Sequence, residues 1–200
     1  VVERAELDWA IRQRVKLARE SGTPAGADTC SGTRTLTGGT YFSDGFGLKG
    51  CTLVFDLSGG NVTLVVDGNV GLENAEIRVK DGDVNATCCF ARVYTTGDWA
   101  MAQGNAGVTV DSGNATRFQL YGTSEMHFAM GQAKKGFTGS VYAARNDSAE
   151  GTNQAVEEYD LDSATSACTG GGGAPDMCIG QGNGVFEGAM IGGPTEIQQA

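Results

Sequence analysis

Two periodicities divide the chain. Over residues 1–22 apolar side chains recur at Leu7, Ile11, Val15 and Ala18, with Ala10 and Leu17 beside them, which is the i, i+4 spacing of one helix face. Glu3, Glu6 and Asp8 come early and Arg12, Arg14, Lys16 and Arg19 late, an order that complements the helix dipole, and Gly22 with Pro24 stops the run. This predicts an N-terminal amphipathic helix over residues 1–22. Its stripe, Leu7, Ile11, Val15 and Ala18, either packs along the domain that follows or serves as the assembly face of a longer stalk or anchor helix.

From about Cys30 the period falls to two. "TLVFDL" (52–57), "VTLVVDG" (62–68), "AEIRVKDG" (75–82), "ARVYTTGD" (91–98), "GVTVDSGN" (107–114), "RFQLYG" (117–122) and "MHFAMG" (126–131) are short β-branched or aromatic runs. Gly-Asn, Asp-Gly or Gly-Asp pairs close most of them, at intervals of roughly 8 to 15 residues, and no helical segment intervenes. A sandwich, a barrel or a β-solenoid meets that description. Strands this short, glycine at nearly every corner and near-repeated phrases favour the solenoid. The predicted fold is therefore all-β: a right-handed parallel β-helix over residues 23–200, preceded by one α-helix.

One repeated phrase is specific enough to align. Phe137-Thr-Gly139-Ser-Val141-Tyr142-Ala143 lies over Phe186-Glu-Gly188-Ala-Met190-Ile191-Gly192. We read these as equivalent positions on two late coils, with the Phe side chains stacked inward and the glycines at a bend. Residues 145–183 interrupt the pattern with a polar, acidic stretch and four consecutive glycines, and read as a long loop inserted between rungs.

Composition narrows the function classes. A hydrophobic content of 40% supports a core, and 32 Gly against 3 Pro supplies many sharp corners. A net charge of −10 argues against nucleic acid, which needs clustered Lys and Arg. No run approaches the eighteen or so apolar residues of a membrane span, and no signal-peptide pattern opens the chain. Contact with a membrane is thus expected only through a segment preceding Val1.

The six cysteines, Cys30, Cys51, Cys88, Cys89, Cys168 and Cys178, do not have zinc-knuckle spacing, and there is a single His to complete a metal site. They read as disulfides of an oxidising compartment, with Cys168–Cys178 and Cys30–Cys51 as the expected pairs. Cys88-Cys89 has three outcomes: a strained vicinal disulfide, separate partners, or reduced thiols. Sequons at Asn61, Asn85, Asn114 and Asn146 are glycosylation candidates, and they arise equally from Asn-rich turns beside Thr-rich strands. His127 reads as a strand residue near the surface. Asp81, Asp83, Glu157 and Glu158 read as solvated turn or loop carboxylates, and Asp160 and Asp162 as weak cation candidates. Trp99, Tyr94, Tyr121 and Tyr142 are either sugar-stacking platforms or cross-strand partners. No catalytic set and no cofactor motif emerges.

The stretches "LSGGNVTLVVDGNVGL" (57–72), "FTGSVYAARND" (137–147) and "GNGVFEGAMIGGPTEI" (182–197) resemble the C-terminal β-solenoid domain of archaeal, especially haloarchaeal, pilin-like surface proteins. Similar domains follow PilX-type N-termini in bacteria. The resemblance covers about Asp28 to the C-terminus. It implies a structural or adhesive subunit at the cell surface, extracellular, joined to a filament by self-association or by contact with other surface or pilus subunits, with glycans as further partners. Five Lys against nine Arg on an acidic chain agree with a halophilic source. The rival expectation is a carbohydrate-active or carbohydrate-binding β-helix protein, which needs converging acidic side chains or an exposed aromatic strip.

Overall fold

The structure, a computed structural model, describes residues 4–26, 32–82, 88–102, 104–124, 126–143, 177–179, 184–192 and 195–197. Helix α1 (Arg4–Ser21) comes first, then the two-residue strand β1 (Thr23–Pro24). Six coils follow. The first is β2 (Gly32–Thr37), β3 (Gly39–Ser43) and β4 (Phe46–Lys49); the second β5 (Cys51–Asp56), β6 (Val62–Val66) and β7 (Val70–Glu73). The third is β8 (Glu76–Lys80), β9 (Ala91–Thr95) and β10 (Trp99–Met101); the fourth β11 (Gly107–Val110), β12 (Phe118–Gly122) and β13 (Phe128–Met130). The fifth is β14 (Gly136–Ala143) and β15 (Met177–Ile179); the sixth β16 (Phe186–Ile191) and β17 (Thr195–Ile197).

Every strand pairing is parallel. The chain is a parallel β-helix of three faces, as the short strands and glycine corners predict. The first face holds β2, β5, β8 and β11, the second β1, β3, β6, β9 and β12, and the third β4, β7, β10, β13, β15 and β17. β14 and β16 cross from the first face to the second and join them into one sheet. Met177–Ile179, inside the span read as an inserted loop, is a strand of the third face, between β13 and β17.

Register stacks like on like inside the coil. Leu53, Ile77, Val108, Phe137 and Phe186 form one ladder, and Leu64, Val93, Leu120, Val141 and Met190 a second. On the third face Phe46, Val70, Trp99 and Phe128 lie in line, all fully buried. Phe137 and Phe186 stack with centroids 5.2 Å apart and planes 4° apart.

The repeated phrase is a corner. In the fourth coil, residues 109–118 separate Val108 from Gln119; in the fifth, only Thr138 and Gly139 separate their partners Phe137 and Ser140. The chain turns there in one step, and Gly139 is required because a Cβ would sit 2.8 Å from the Phe118 ring. Gly188 repeats the turn at φ +148°, and a Cβ there would strike the carbonyl oxygen of Gly139.

Wider corners are held by side chains that cap the next coil. Asn61 Oδ1 accepts from the Phe90 N–H at 2.8 Å, Asn69 Oδ1 from Asp98 N–H at 2.7 Å, and Asn74 Oδ1 from Asn105 N–H at 3.1 Å. Such bonds satisfy backbone donors that the turns would otherwise leave unmade.

Candidate functional site

Alternate residues of the second face point outward, and one row of them is apolar too. Register aligns Phe42, Val65, Tyr94, Tyr121, Tyr142 and Ile191 into a single outer ladder. An exposed stripe of this kind must be covered, and α1 covers its first part. Ile11, Val15 and Ala18 are 0%, 6% and 4% exposed and pack on Val65 and Tyr94, with Leu7, Phe42 and Tyr121 at the margin. Of the two roles expected for the stripe Leu7, Ile11, Val15 and Ala18, packing along the following domain is the one seen, rather than an exposed assembly face. On the helix, Trp9 and Leu17 are the exposed large apolar residues, at 65% and 61%.

Polar contacts fix both ends of the helix. Near its start, Asp8 Oδ1 accepts from the Ser124 backbone N–H and hydroxyl at 2.8 and 2.9 Å, while Arg12 donates to Asp8 Oδ2 at 2.8 Å. Partial burial pushes the Asp8 carboxyl up, but these hydrogen bonds together outweigh it and hold the group below the usual carboxylate range. Near its end, Arg19 binds Asp44 at 2.9 Å and also Asp67, and lies over the Phe42 ring. Arg14 sits 4.8 Å above the Tyr94 centroid.

Asp8, in the second turn of α1, meets Ser124 after β12, and the ladder residues clustered with the helix run from Phe42 to Tyr121. Tyr142 is half-buried, and Ile191 at the end is 56% exposed. Ile191 belongs to β16, whose sheet partner among the described residues is β14 alone. At the start of β16, Val185 is 65% exposed, while Phe186 and Met190 are only partly buried against the core. Ile191 at the end of the outer ladder and Val185 before β16 are therefore exposed apolar side chains of the last coil, with Glu187 exposed between them.

The remaining sequence candidates fall elsewhere. His127 lies at the corner before β13, where Asp98 Oδ1 accepts from its backbone N–H and lies 2.8 Å from its Nδ1. Asp98 thus caps the corner at His127, as Asn69 caps the corner at Asp98 one rung earlier. Trp99 is core, edge-on to Phe118 and Phe137. Tyr94, Tyr121 and Tyr142 stack on each other at 4.9 Å and 11–12°, so the ring faces a sugar would need are already covered. Asp81 accepts a hydrogen bond from Ser112. Among the described residues no three His, Cys, Asp or Glu side chains converge, and no helix is long and apolar enough to cross a membrane. Asp83, Glu157, Glu158, Asp160 and Asp162 lie outside the described residues.

Carboxylates on the outside of the first face are held by cations instead. Lys80 binds Asp56 at 2.8 Å, Arg78 grips Asp111 at 2.6 and 3.0 Å, and Lys135 binds Glu76. The Lys80 hydrogen bond holds Asp56 far below the ordinary carboxylate range.

Cys51 is buried and disulfide-bonded, and Cys30 lies outside the described residues. Cys88 and Cys89 are free thiols. Cys178 lies in β15, and Cys168 is not among the described residues. Asn61 and Asn114 both use Oδ1 locally, Asn61 on the next coil and Asn114 in a turn where Thr116 donates from its N–H and hydroxyl. Asn85 and Asn146 lie outside the described residues. The corner-capping roles of Asn61, Asn69 and Asp98 escaped sequence reasoning, although Gly-Asn and Gly-Asp dipeptides before strands were their signal.

Comparison with known proteins gives a match to the family described as a domain of unknown function (DUF7305), over residues 1–200. No curated protein and no solved structure matches the chain.

Proposed function

The chain belongs to the DUF7305 family, whose description names no activity, and from that premise we propose that it is a structural or adhesive subunit of the cell surface. In this reading it is extracellular and pilin-like, and it assembles into or is displayed on a filament. What supports the reading most is the last coil, where the outer ladder ends at exposed Ile191 on the free edge of β16. A free strand edge flanked by exposed apolar residues is a template for pairing with another chain. The disulfide-bonded Cys51 fits an oxidising compartment, and Cys30 is the partner we assign it. Gly32 pairs with Cys51 in register, and Cys30 stands two residues before Gly32.

Sedimentation and electron microscopy across protein and salt concentration test the assembly. Wild type is expected to form larger species, and Ile191→Lys with Val185→Lys to remain monomeric with unchanged circular dichroism. A wild type that stays monomeric throughout overturns the reading. Non-reducing peptide mapping tests the Cys30–Cys51 bridge, and a Cys51 peptide joined to any other cysteine refutes that pairing.

A further inference from the structure

The corner that leads into β9 carries two adjacent thiols. Cys88 is exposed, and Cys89, its neighbour in the chain, is half-buried against the core. Cys89 takes φ +75°, one of two positive values among the described non-glycine residues, the other being Asn74. Asparagine tolerates that region through its short polar side chain, whereas cysteine has no such compensation, so the conformation is imposed from outside. Arg117 imposes it. Only 3% exposed and rooted in the turn before β12, Arg117 donates from Nη1 to the carbonyl oxygens of both Cys88 and Cys89, the latter at 3.0 Å. A buried guanidinium of the fourth coil thus clamps the backbone of a two-cysteine corner of the third.

We propose that Cys88 and Cys89 are a reversible thiol–disulfide site, oxidised by a low-molecular-weight disulfide of the glutathione class. The exposed Cys88 thiolate attacks the small disulfide, forms a mixed disulfide and releases one small thiolate. The Cys89 thiolate then attacks the Cys88 sulfur, closing the Cys88–Cys89 bond and releasing the second. The two side chains lose two protons and two electrons, and the small disulfide leaves as two thiols. The order follows from exposure: Cys88 is the exposed thiol that a small disulfide in solution meets first, while Cys89 is half-buried against the core.

Neighbouring Cα atoms stand about 3.8 Å apart, below the roughly 4.4–6.8 Å of most disulfides, so the closed ring is strained and easily reduced. Strained, exposed disulfides are the labile kind, suited to modification and release rather than to stapling a fold. The site does not depend on the assembly reading.

The test equilibrates the intact protein in glutathione buffers of rising oxidation and maps the tryptic peptide 81–92, which contains both cysteines. Wild type is expected to lose two hydrogens on this peptide with no glutathione retained, and to regain them under milder reduction than the Cys51 bridge requires. Cys89→Ser is expected to stop at a stable mixed disulfide on Cys88, and Arg117→Lys to close the ring more slowly. A wild-type peptide that keeps one or two glutathiones, links to another cysteine, or stays reduced in the most oxidising buffer refutes the proposal. Circular dichroism of each variant separates loss of the site from loss of the fold.

Discussion

Trp99 fills the centre of the third-face ladder with no exposed surface, yet no acceptor among the described residues meets its Nε1. An unmade hydrogen bond on a buried donor costs about 1–3 kcal/mol, a cost that opposes the packing gain of the large ring. Trp99→Phe removes the orphaned N–H while keeping an aromatic against Phe118 and Phe137, so its stability is expected within about 1 kcal/mol of wild type. Trp99→Ala leaves the cavity uncompensated and is expected to cost about 3–5 kcal/mol. Chemical denaturation of both variants measures the contrast, and equal losses would show that the N–H carries no penalty. The glycines make a second residue-scale case. Gly139→Ala drives a methyl into the Phe118 and Phe137 rings, and Gly188→Ala also strains a φ of +148°. Both are expected to fray the last two coils while leaving β5 to β9 intact, which hydrogen exchange resolves coil by coil.

At the scale of elements, α1 is held by its apolar stripe and by Asp8. Val15→Asp puts a charge against Val65 and Tyr94 and is expected to detach the helix at a cost of about 2–3 kcal/mol or more, seen as faster exchange of α1 amides and new protease cleavage around residues 9–17. Asp8 adds a pH dependence. Its folded pKa is lowered, so its contribution is complete above the unfolded value near pH 4 and falls away as acid protonates the folded carboxyl. Exchange in α1 should therefore accelerate below about pH 4 in wild type, and Asp8→Asn should flatten that dependence. These elements also show what the sequence carried. The helix stripe, the strand periods and the equivalence of Phe137 with Phe186 were legible because each is a local pattern. The helix's docking site was not, because the outer ladder it covers is assembled from Phe42, Val65, Tyr94 and Tyr121, each on a different coil. Successive register partners on the first face lie 19, 24, 31, 29 and 49 residues apart, from Gly32, Thr52, Glu76, Gly107 and Phe137 to Cys51, Glu76, Gly107, Gly136 and Phe186. With no fixed period, sequence alone could not stack the coils, and the exposed end of the ladder at Ile191 stayed hidden with them.

Among the described residues the first and last coils are unlike. At the first coil the second-face edge is β1, two residues long and containing Pro24, which has no N–H to offer a pairing strand. There Ala25 and Leu36 are buried at 1% and 3% exposure, and β2 carries Arg34 along its edge. At the last coil β16 presents six residues with one charge, Glu187, between exposed Val185 and Ile191. Proline, charge and shortness are the usual protections of a strand edge, and they are concentrated at the first end. Head-to-tail stacking would join the open edge to the protected one, whereas pairing two last coils joins open edge to open edge about a twofold axis. Such a pair closes on itself. The two ends therefore suit a domain displayed on a filament and held through its last coil more than one stacked end to end. The isolated chain is expected to stop at a dimer whose mass does not grow further with concentration, seen in micrographs as a rod of doubled length. Ala189→Pro, which removes a backbone donor from β16, is expected to return it to monomers. A mass that keeps rising with concentration would mean the first coil also pairs, and would place the assembly contact at both ends.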